Sequence, residues 1–305
     1  MLRYLVRRVL LSLLVVIAVS MIVFVLSQAQ GDPRFLFLSE TTTQEQWDAW
    51  GRQMGLDRPV VVQYFIWMSK VARGDLGQSL RQSRPVKDAI TETIPASLQL
   101  GLAAGLFAIT TGFSLGVLSA VKRGTIWDYM GRTFALFGQA LPPFWVGIVL
   151  ILVFSVQLHM LPTSRRGGIE HYIMPSITLG WLAAAANLRL VRSSMLATLD
   201  SEYIKMARAK GVPEWLVIWK HALRNAIIPP LTQAGLMLAS FIAGTVVTET
   251  VFAWPGLGRL AVEAVYQNDF PLLSGVVLFV TLIYIVANLL VDVSYAYIDP
   301  RIRYG

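Results

Sequence analysis

The side chains that most often carry out chemistry in proteins are sparse in this sequence. It contains no cysteine, and its three histidines, His159, His171 and His221, lack the spacing of metal ligands. The phosphate-binding pattern Gly-x-x-x-x-Gly-Lys-Ser/Thr is absent, and so is the His-Glu-x-x-His pattern of zinc hydrolases. The sequence therefore predicts a protein that is not an enzyme and that holds no metal or nucleotide of its own.

Polar side chains inside long apolar stretches are the next candidates. In a membrane such groups generally face the interior of a helix bundle or a water-filled path, so they could line a transport route. The same residue types also bond neighbouring helices to one another, and that role is the commoner one. The candidates are Gln139, Asn187, Gln233, Ser240, Thr245, Thr248 and Asn288.

Residues 201–229, which we call the basic segment, have the pattern of two helices separated by a break. Asp200 is expected to cap the first helix, and Gly211 to end it in the left-handed conformation. Pro213 and Glu214 are expected to open the second helix. The pattern therefore predicts a sharply defined turn at 210–213.

The composition of the basic segment suits two kinds of surface. Small residues leave the backbone accessible between basic side chains, and the second helix has an apolar side. These residues are Lys205, Ala207, Arg208, Ala209, Lys210, Trp215, Leu216 and Trp219. Such a helix pair can dock into a groove of a partner protein or lie on anionic lipid headgroups, and composition alone does not separate the two.

The elements that hold these residues are apolar. Of the 305 residues, 55% are hydrophobic and 14% are charged, whereas soluble domains carry about 25% charged residues. This composition excludes an ordinary soluble enzyme. Six stretches of at least 18 residues carry no charge, and each can hold one membrane-spanning helix. They are 9–31, 93–121, 133–164, 171–188, 225–248 and 270–291, the third holding one helix and a loop.

The net charge of +8 fits either nucleic-acid binding or the cytoplasmic loops of a membrane protein. Basic residues cluster before the first apolar stretch, between the second and third, between the fourth and fifth, and after the last. The short loops on the other side carry only Arg165, Arg166 and Arg259. This distribution predicts a lipid environment with both termini cytoplasmic, and no nucleic-acid partner.

Three regions are expected along the chain: a transmembrane helix at 1–31, an external segment at 32–92, and a five-helix core at 93–305. The first apolar stretch is longer than the hydrophobic part of a signal peptide, so a retained anchor is favoured over a cleaved leader. Two short helices are expected in the external segment. One of them should cover about 59–73, because Pro59 suits a first turn and Gly74 a helix end.

Several motifs resemble those of one transporter family. The signature loop of permeases from binding-protein-dependent ATP-binding-cassette (ABC) importers, in its dipeptide, oligopeptide and nickel variant, is similar to the basic segment. The matching residues are Tyr203, Ala207, Arg208, Ala209, Lys210, Gly211, His221, Arg224, Asn225 and Pro229. Further resemblance to the family is found at Gly31-Asp32-Pro33, Leu56-Asp57-Arg58-Pro59, 74–79, 254–259 and 299–304. The motif at 299–304 resembles the C-terminal end of the first of the family's two permease subunits.

The broader importer class departs from this sequence at one point. Its loop usually opens with Glu-Ala-Ala, where this chain has Lys205-Met206-Ala207. Only Ala207 and Gly211 match that wider pattern. The roles expected for the other loop residues are therefore inferred from the narrower peptide and nickel family alone.

The resemblance implies an all-α integral membrane protein with the type I ABC importer permease fold and six transmembrane helices. It implies a loop at 200–225 that couples the permease to ATP hydrolysis, with ATP and Mg²⁺ bound by two separate ATPase subunits. It also implies a second permease subunit, an external substrate-binding protein and an inner-membrane location. Glu249, Trp254 and Arg259 are then candidates for contacts with the binding protein or a gate.

Peptides are the expected cargo, with glutathione and nickel complexes as alternatives within the same family. An ion-coupled secondary transporter is an alternative of a different class. Such transporters usually show internal repeats and acidic residues at mid-membrane, and this sequence has neither.

Overall fold

A computed structural model describes residues 2–29, 42–54, 57–243 and 245–298. The Gly31-Asp32-Pro33 motif, Leu56 and the motif at 299–304 lie outside these residues. Within them the structure is helical, and the one strand-like pairing is an isolated bridge between Gln78 and Pro85. The chain forms two compact units, one made of Met1–Pro95 with Arg259–Gly305 and the other of Ala96–Gly258.

The helices of the described ranges follow in this order along the chain. Those of the first half are α1 (Leu2–Ala29), α2 (Gln44–Met54), α3 (Val60–Ala72), α4 (Val86–Val121), α5 (Ile126–Ala140) and α6 (Pro143–Leu150), which continues as a π-helix over Ile151–Gln157. Next come α7 (Glu170–Leu199), α8 (Glu202–Ala209), α9 (Glu214–Leu216), a π-helix over Val217–Ala222 and α10 (Leu223–Ala226). The last are α11 (Ile228–Ala243), α12 (Val246–Val251), α13 (Leu257–Tyr266) and α14 (Phe270–Ile298).

Three helices of the described chain are long and apolar enough to cross a membrane, in the ranges Val6–Leu26, Val86–Val121 and Phe270–Leu289. A fourth crossing results if the bent pair α5 and α6 is counted as one. The other two expected spans correspond to α7, which is long but less apolar, and α11, which has 16 residues. The number of six crossings therefore stays a prediction.

The prediction of a single helix within 133–164 is wrong. Helix α5 ends at Ala140, and the next helix starts at Pro143 at an angle of 111° to it. Two consecutive prolines, Pro142 and Pro143, remove two backbone donors, and a proline pushes the residue before it out of the helical conformation. Leu141 is accordingly extended, with φ −92° and ψ 131°.

The two short helices expected between the first two apolar stretches are confirmed as α2 and α3. Helix α3 starts directly after Pro59, which holds its N-cap position, and Arg73 caps its end. Gly74 follows with φ +80°. The predicted boundaries of about 59–73 therefore agree with the structure to within one residue.

Helices α4 and α7 pack closely because glycine removes side-chain bulk from their contact. A Cβ atom placed on Gly112 would lie 2.7 Å from the Cβ of Asn187 and 2.8 Å from the carbonyl oxygen of Ala184. One on Gly116 would lie 2.7 Å from the Cβ of Val191. Glycines four residues apart allow close helix approach in membranes. This contact fixes α7, whose end leads directly into the basic segment.

Candidate functional site

The basic segment begins where α7 ends. Asp200 is the C-terminal cap of α7 and not the N-cap of α8, so that prediction is wrong. Ser201 holds the N-cap position of α8 with an extended backbone, φ −71° and ψ 152°, and its hydroxyl donates to the carbonyl of Thr198 at 2.6 Å. The N-cap of α8 therefore lies one residue later than expected.

The turn between α8 and α9 has the predicted form. Gly211 has φ +76°, a left-handed conformation that L-amino acids with a side chain adopt at a cost. Its N–H donates to the carbonyl of Arg208 at 2.9 Å, and that of Val212 donates to Ala207 at 3.2 Å. Pro213 is the N-cap of α9. The roles predicted for Gly211 and Pro213 are confirmed.

An ion pair links the helices on the two sides of this turn. Arg208 donates from Nη2 to Oε1 of Glu214 at 2.7 Å and from Nε to Oε2 at 3.2 Å. The hydrogen bonds from Arg208 hold the pKa of Glu214 below its ordinary value, and Glu214 raises the pKa of Arg208. Since both side chains remain partly exposed, the pair fixes the geometry of the turn more than it adds stability.

Three residues predicted from the family motif come together on the two sides of the turn. Asn225 donates from Nδ2 to the hydroxyl oxygen of Tyr203 at 2.8 Å and to the carbonyl of His221 at 3.3 Å. The hydroxyl of Tyr203 donates to that same carbonyl at 3.4 Å. These bonds join α8 to the helical stretch that follows the turn.

An apolar core beneath the basic segment anchors it to the ends of α4 and α7. Ile204, Val217 and Ala222 are completely buried and belong to one cluster with Val117 of α4 and Met195 of α7. Deep burial of these side chains on both sides of the turn ties the segment to the two long helices by packing.

The outer surface of the basic segment is apolar and basic together. Trp215 is 64% exposed and Trp219, one helical turn later, is 60% exposed. Tyr203 and Met206 extend this apolar surface. Five basic residues of the same segment are also exposed, namely Lys205, Arg208, Lys210, Lys220 and Arg224. Large exposed aromatic residues with a charged rim are typical of a protein-binding surface.

An ion pair that includes a buried carboxylate, near the start of α5, escaped the sequence reasoning. Asp128, 2% exposed, accepts hydrogen bonds from Nε and Nη2 of Arg192 at 2.8 and 3.0 Å. It also accepts from the hydroxyl of Ser119 at 2.6 Å and the N–H of Gly124 at 3.1 Å. The pair therefore joins α4, α5 and α7. One signal was present, since Asp128 is the lone acidic residue among Lys122, Arg123 and Arg132.

A second buried carboxyl group organises the loop at 252–256. Glu249 is fully buried, and its Oε1 accepts a hydrogen bond from the hydroxyl of Ser97 at 2.7 Å. The same hydroxyl oxygen accepts from the N–H of Leu257 at 2.8 Å. Trp254 donates from its backbone N–H to the carbonyl of Glu249 at 2.8 Å and from its indole to the carbonyl of Ala96 at 2.9 Å. The loop is thus fixed on both sides of its proline.

The three candidates for contacts with a binding protein or gate lie in different surroundings. Glu249 and Trp254 are buried within the second unit, where they hold the 252–256 loop, and the Trp254 ring packs edge-on against Tyr172 with centroids 4.8 Å apart. Arg259 lies in the first unit and donates to Glu263 at 2.7 Å. Their contact with a partner stays a prediction.

The seven polar candidates for a transport route do not share one environment. Asn187, Thr245 and Thr248 are buried, Gln233 is half-buried, and Gln139 and Ser240 are exposed. Asn288 lies in the first unit and donates to the carbonyl of Tyr284 within its own helix at 3.0 Å. Neither amide atom of Asn187 has a hydrogen-bond partner among the described residues. A role in transport stays a prediction for all seven.

Comparison with known proteins covers nearly the whole chain. Residues 112–304 match the family model of the binding-protein-dependent transport system inner membrane component, and residues 1–101 match its N-terminal companion. The chain is 39% identical to the glutathione transport system permease protein GsiC of Escherichia coli (strain K12) over 305 residues, with full coverage of both. It is 36% identical to the dipeptide permease DppB of Alkalihalophilus pseudofirmus, also with full coverage, and 38% identical to the oligopeptide permease AppB of Bacillus subtilis, covering 99% of each.

Solved structures show the same fold at lower identity. The MetNI methionine ABC transporter in inward-facing conformations matches with a TM-score of 0.56 and 19% identity, over 69% of this chain and 96% of that one. An amino acid ABC transporter crystallised with histidines matches with a TM-score of 0.54 and 14% identity, over 77% and 98%. The chain therefore belongs to the binding-protein-dependent transport system inner membrane component family, as a permease subunit of an ABC importer.

Proposed function

We propose that this protein forms half of a translocation path that imports peptides across the inner membrane. The observation that carries the proposal is full-length similarity, at 36–39% identity, to permeases named for dipeptide, oligopeptide and glutathione transport. Glutathione is itself a tripeptide, so these three cargoes belong to one chemical class. In this proposal a substrate-binding protein delivers the peptide from outside, and a second related permease subunit supplies the other half of the path.

The proposed topology has six crossings with both termini in the cytoplasm. Helices α1, α4, the α5–α6 pair, α7, α11 and α14 would each cross once. Three of these have the necessary length and apolar character by themselves. The clustering of Lys and Arg in the loops on one side supports the orientation.

The basic segment is proposed as the loop that receives the motion of an ATPase subunit. ATP and Mg²⁺ would be bound by two such subunits, because this sequence has no phosphate-binding loop. The aromatic surface of Trp215 and Trp219 would lie in a cleft of the ATPase. The buried core under Ile204 and Val217 would then transmit closure of the ATPases to α4 and α7 as a rigid-body movement.

Glutathione is the second candidate cargo, favoured by the 39% identical relative that is named for it. A nickel complex remains the third, from the wider family, and ion-coupled transport is the alternative of a different class. The test is uptake by proteoliposomes that contain both permeases, both ATPases and the binding protein. We expect competition by dipeptides or glutathione and no uptake without ATP. Uptake driven by an ion gradient alone, or of nickel complexes but not peptides, would overturn the proposal.

A further inference from the structure

Helix α3 carries three different faces in the first unit. Tyr64 and Trp67 point towards α1, where both rings contact Phe24 with centroids 5.4 and 5.6 Å apart. Gln63 and Lys70, seven residues and two turns apart, share a polar face. Val61 and Phe65, one turn apart, form an apolar face and are 66% and 65% exposed. A helix in water would not normally leave such side chains uncovered.

The depth of α3 follows from its bond to α1. The hydroxyl of Ser20 donates to the carbonyl of Ile17 at 2.8 Å, so the 2.8 Å contact between Ser20 and Tyr64 must be donated by the tyrosine. Ser20 lies six residues inside the end of the apolar range Val6–Leu26, which corresponds to about 9 Å at a rise of 1.5 Å per residue. Helix α3 therefore meets α1 at a level where α1 is inside the hydrocarbon of a bilayer.

From this geometry we infer that α3 is embedded in the outer part of the bilayer, with the face of Val61 and Phe65 against lipid acyl chains. The lipid-facing surface of α1 continues at this level, since Met21, Ile22 and Val25 are exposed there. The hydroxyl of Ser69, also exposed, is satisfied by the carbonyl of Ile66 within the helix at 2.8 Å. Helices lying in the interface show this combination of an apolar face and a polar face.

The charged end of α3 fits the same arrangement. Lys70 and Arg73 are exposed at its C-terminal end, where long basic side chains can extend to the headgroup region. Gln63 is bonded to the carbonyl of Arg58 at 2.8 Å on the polar side. The helix would therefore be a second membrane contact next to α1, and not a part of a water-exposed domain. This inference does not depend on which substrate is transported.

The absence of cysteine makes a direct test simple. A nitroxide spin label is attached to Val61→Cys or Phe65→Cys in the complete importer, built with cysteine-free partners and placed in lipid nanodiscs. Lys70→Cys, on the polar face of the same helix, is the matched control. Both test positions are largely exposed. The Phe65 ring also lies edge-on to the Tyr64 ring, with centroids 5.6 Å apart, so Val61→Cys is the less disruptive probe, and uptake activity checks assembly of both variants.

We expect labels at 61 and 65 to collide several-fold more with oxygen, which concentrates in acyl chains, than with a water-soluble nickel chelate. The label at 70 should show the reverse preference. Collision of the labels at 61 and 65 with the nickel chelate would overturn the inference, and so would protection from both reagents, which would indicate a protein partner on this face. Hydroxyl-radical footprinting of the unmodified complex gives a second test, because oxidation of Phe65 would show that water reaches it.

Discussion

The hydroxyl of Ser97 bonds the fully buried carboxyl group of Glu249 at 2.7 Å, across 152 residues of sequence. Ser97 lies in α4, near the start of the part of that helix that belongs to the second unit. Glu249 lies in α12, just before the 252–256 loop. Since the same serine oxygen accepts from the N–H of Leu257, one hydroxyl holds both the start and the end of that loop. One small side chain therefore links both ends of the loop, in addition to the hydrogen bonds made by Trp254.

Replacing Ser97 with alanine should destabilise the complex by about 1–3 kcal/mol, because two buried polar groups each lose a hydrogen bond. The loss should appear as a lower thermal midpoint of the purified complex and as faster proteolysis within the 252–256 loop. Ser69→Ala is the matched control, since its hydroxyl is exposed and bonds only within its own helix. Equal midpoints for Ser97→Ala and Ser69→Ala would refute the structural role of Ser97.

The pair of Asp128 and Arg192 should matter more than an exposed pair, because its carboxylate is buried. Asp128→Asn leaves the guanidinium of Arg192, whose side chain is 21% exposed, without its charge partner, and loss of these charge-assisted hydrogen bonds should cost about 1.5–3 kcal/mol. Asp200→Asn is the control, because Asp200 is 4.0 Å from Arg123 and both side chains are largely exposed, so the change should stay below about 1 kcal/mol. Thermal unfolding of the two variants measures the difference, and similar losses would contradict the assignment.

Gly211 should be required for coupling because of its backbone conformation and not because of lack of space. A Cβ at this position would meet nothing within 4 Å, yet φ is +76°. Gly211→Val should therefore impair ATPase-driven uptake, whereas Gly211→Asn should retain more activity, since asparagine tolerates the left-handed region.

Gly74→Val is the matched control for that experiment. Gly74 has φ +80° and also has nothing within 4 Å of its Cβ position, but it lies in the first unit, far along the sequence from the basic segment. Gly74→Val should raise the conformational energy of the backbone by a similar amount without uncoupling ATP hydrolysis from uptake. The measurement is the ratio of transported substrate to ATP hydrolysed. An unchanged ratio in a well-assembled Gly211→Val complex would refute the coupling role.

The ion pair of Arg208 and Glu214 predicts a defined pH dependence of the turn. The pKa of Glu214 is lowered in the folded protein. The contribution of this ion pair to stability is therefore complete above the ordinary pKa of 4.5, and it is lost as the pH falls through the lowered pKa of the folded state. Protease resistance at 210–214 should thus be constant between about pH 8 and pH 6 and should fall only in acid. Glu214→Gln should weaken resistance slightly, by less than about 1 kcal/mol, and abolish the acid dependence. Loss of resistance near neutral pH in the unmodified protein would contradict this.

The sequence predicted those features that depend on local chemistry. Gly211 and Pro213 determined the turn of the basic segment because glycine tolerates the left-handed backbone and proline fixes its own φ, and Gly74 and Pro59 bounded α3 in the same way. The single helix predicted across Pro142 was wrong because the count of charge-free residues is insensitive to a break in the backbone. Asp200 was misassigned because capping of the preceding helix and of the following one compete at neighbouring residues.

Contacts between distant residues could not be predicted in the same way. Neither Ser97 with Glu249 nor Asp128 with Arg192 shows any spacing pattern, because the fold alone brings them together. Tyr203 and Asn225 were predicted as members of one motif, but their 2.8 Å hydrogen bond depends on the reversal of the chain at Gly211. Sequence reasoning thus identified the residues of the basic segment, and the structure supplied their arrangement.

The most direct test of the central claim is ATP-dependent peptide uptake by proteoliposomes containing this chain, its partner permease, both ATPases and the binding protein. We predict uptake of a labelled dipeptide or of glutathione that requires ATP hydrolysis and every one of these components, and that is lost in the Gly211→Val complex. Uptake that continues without ATPase subunits, or no uptake of any peptide by an assembled and ATP-hydrolysing complex, would contradict the account.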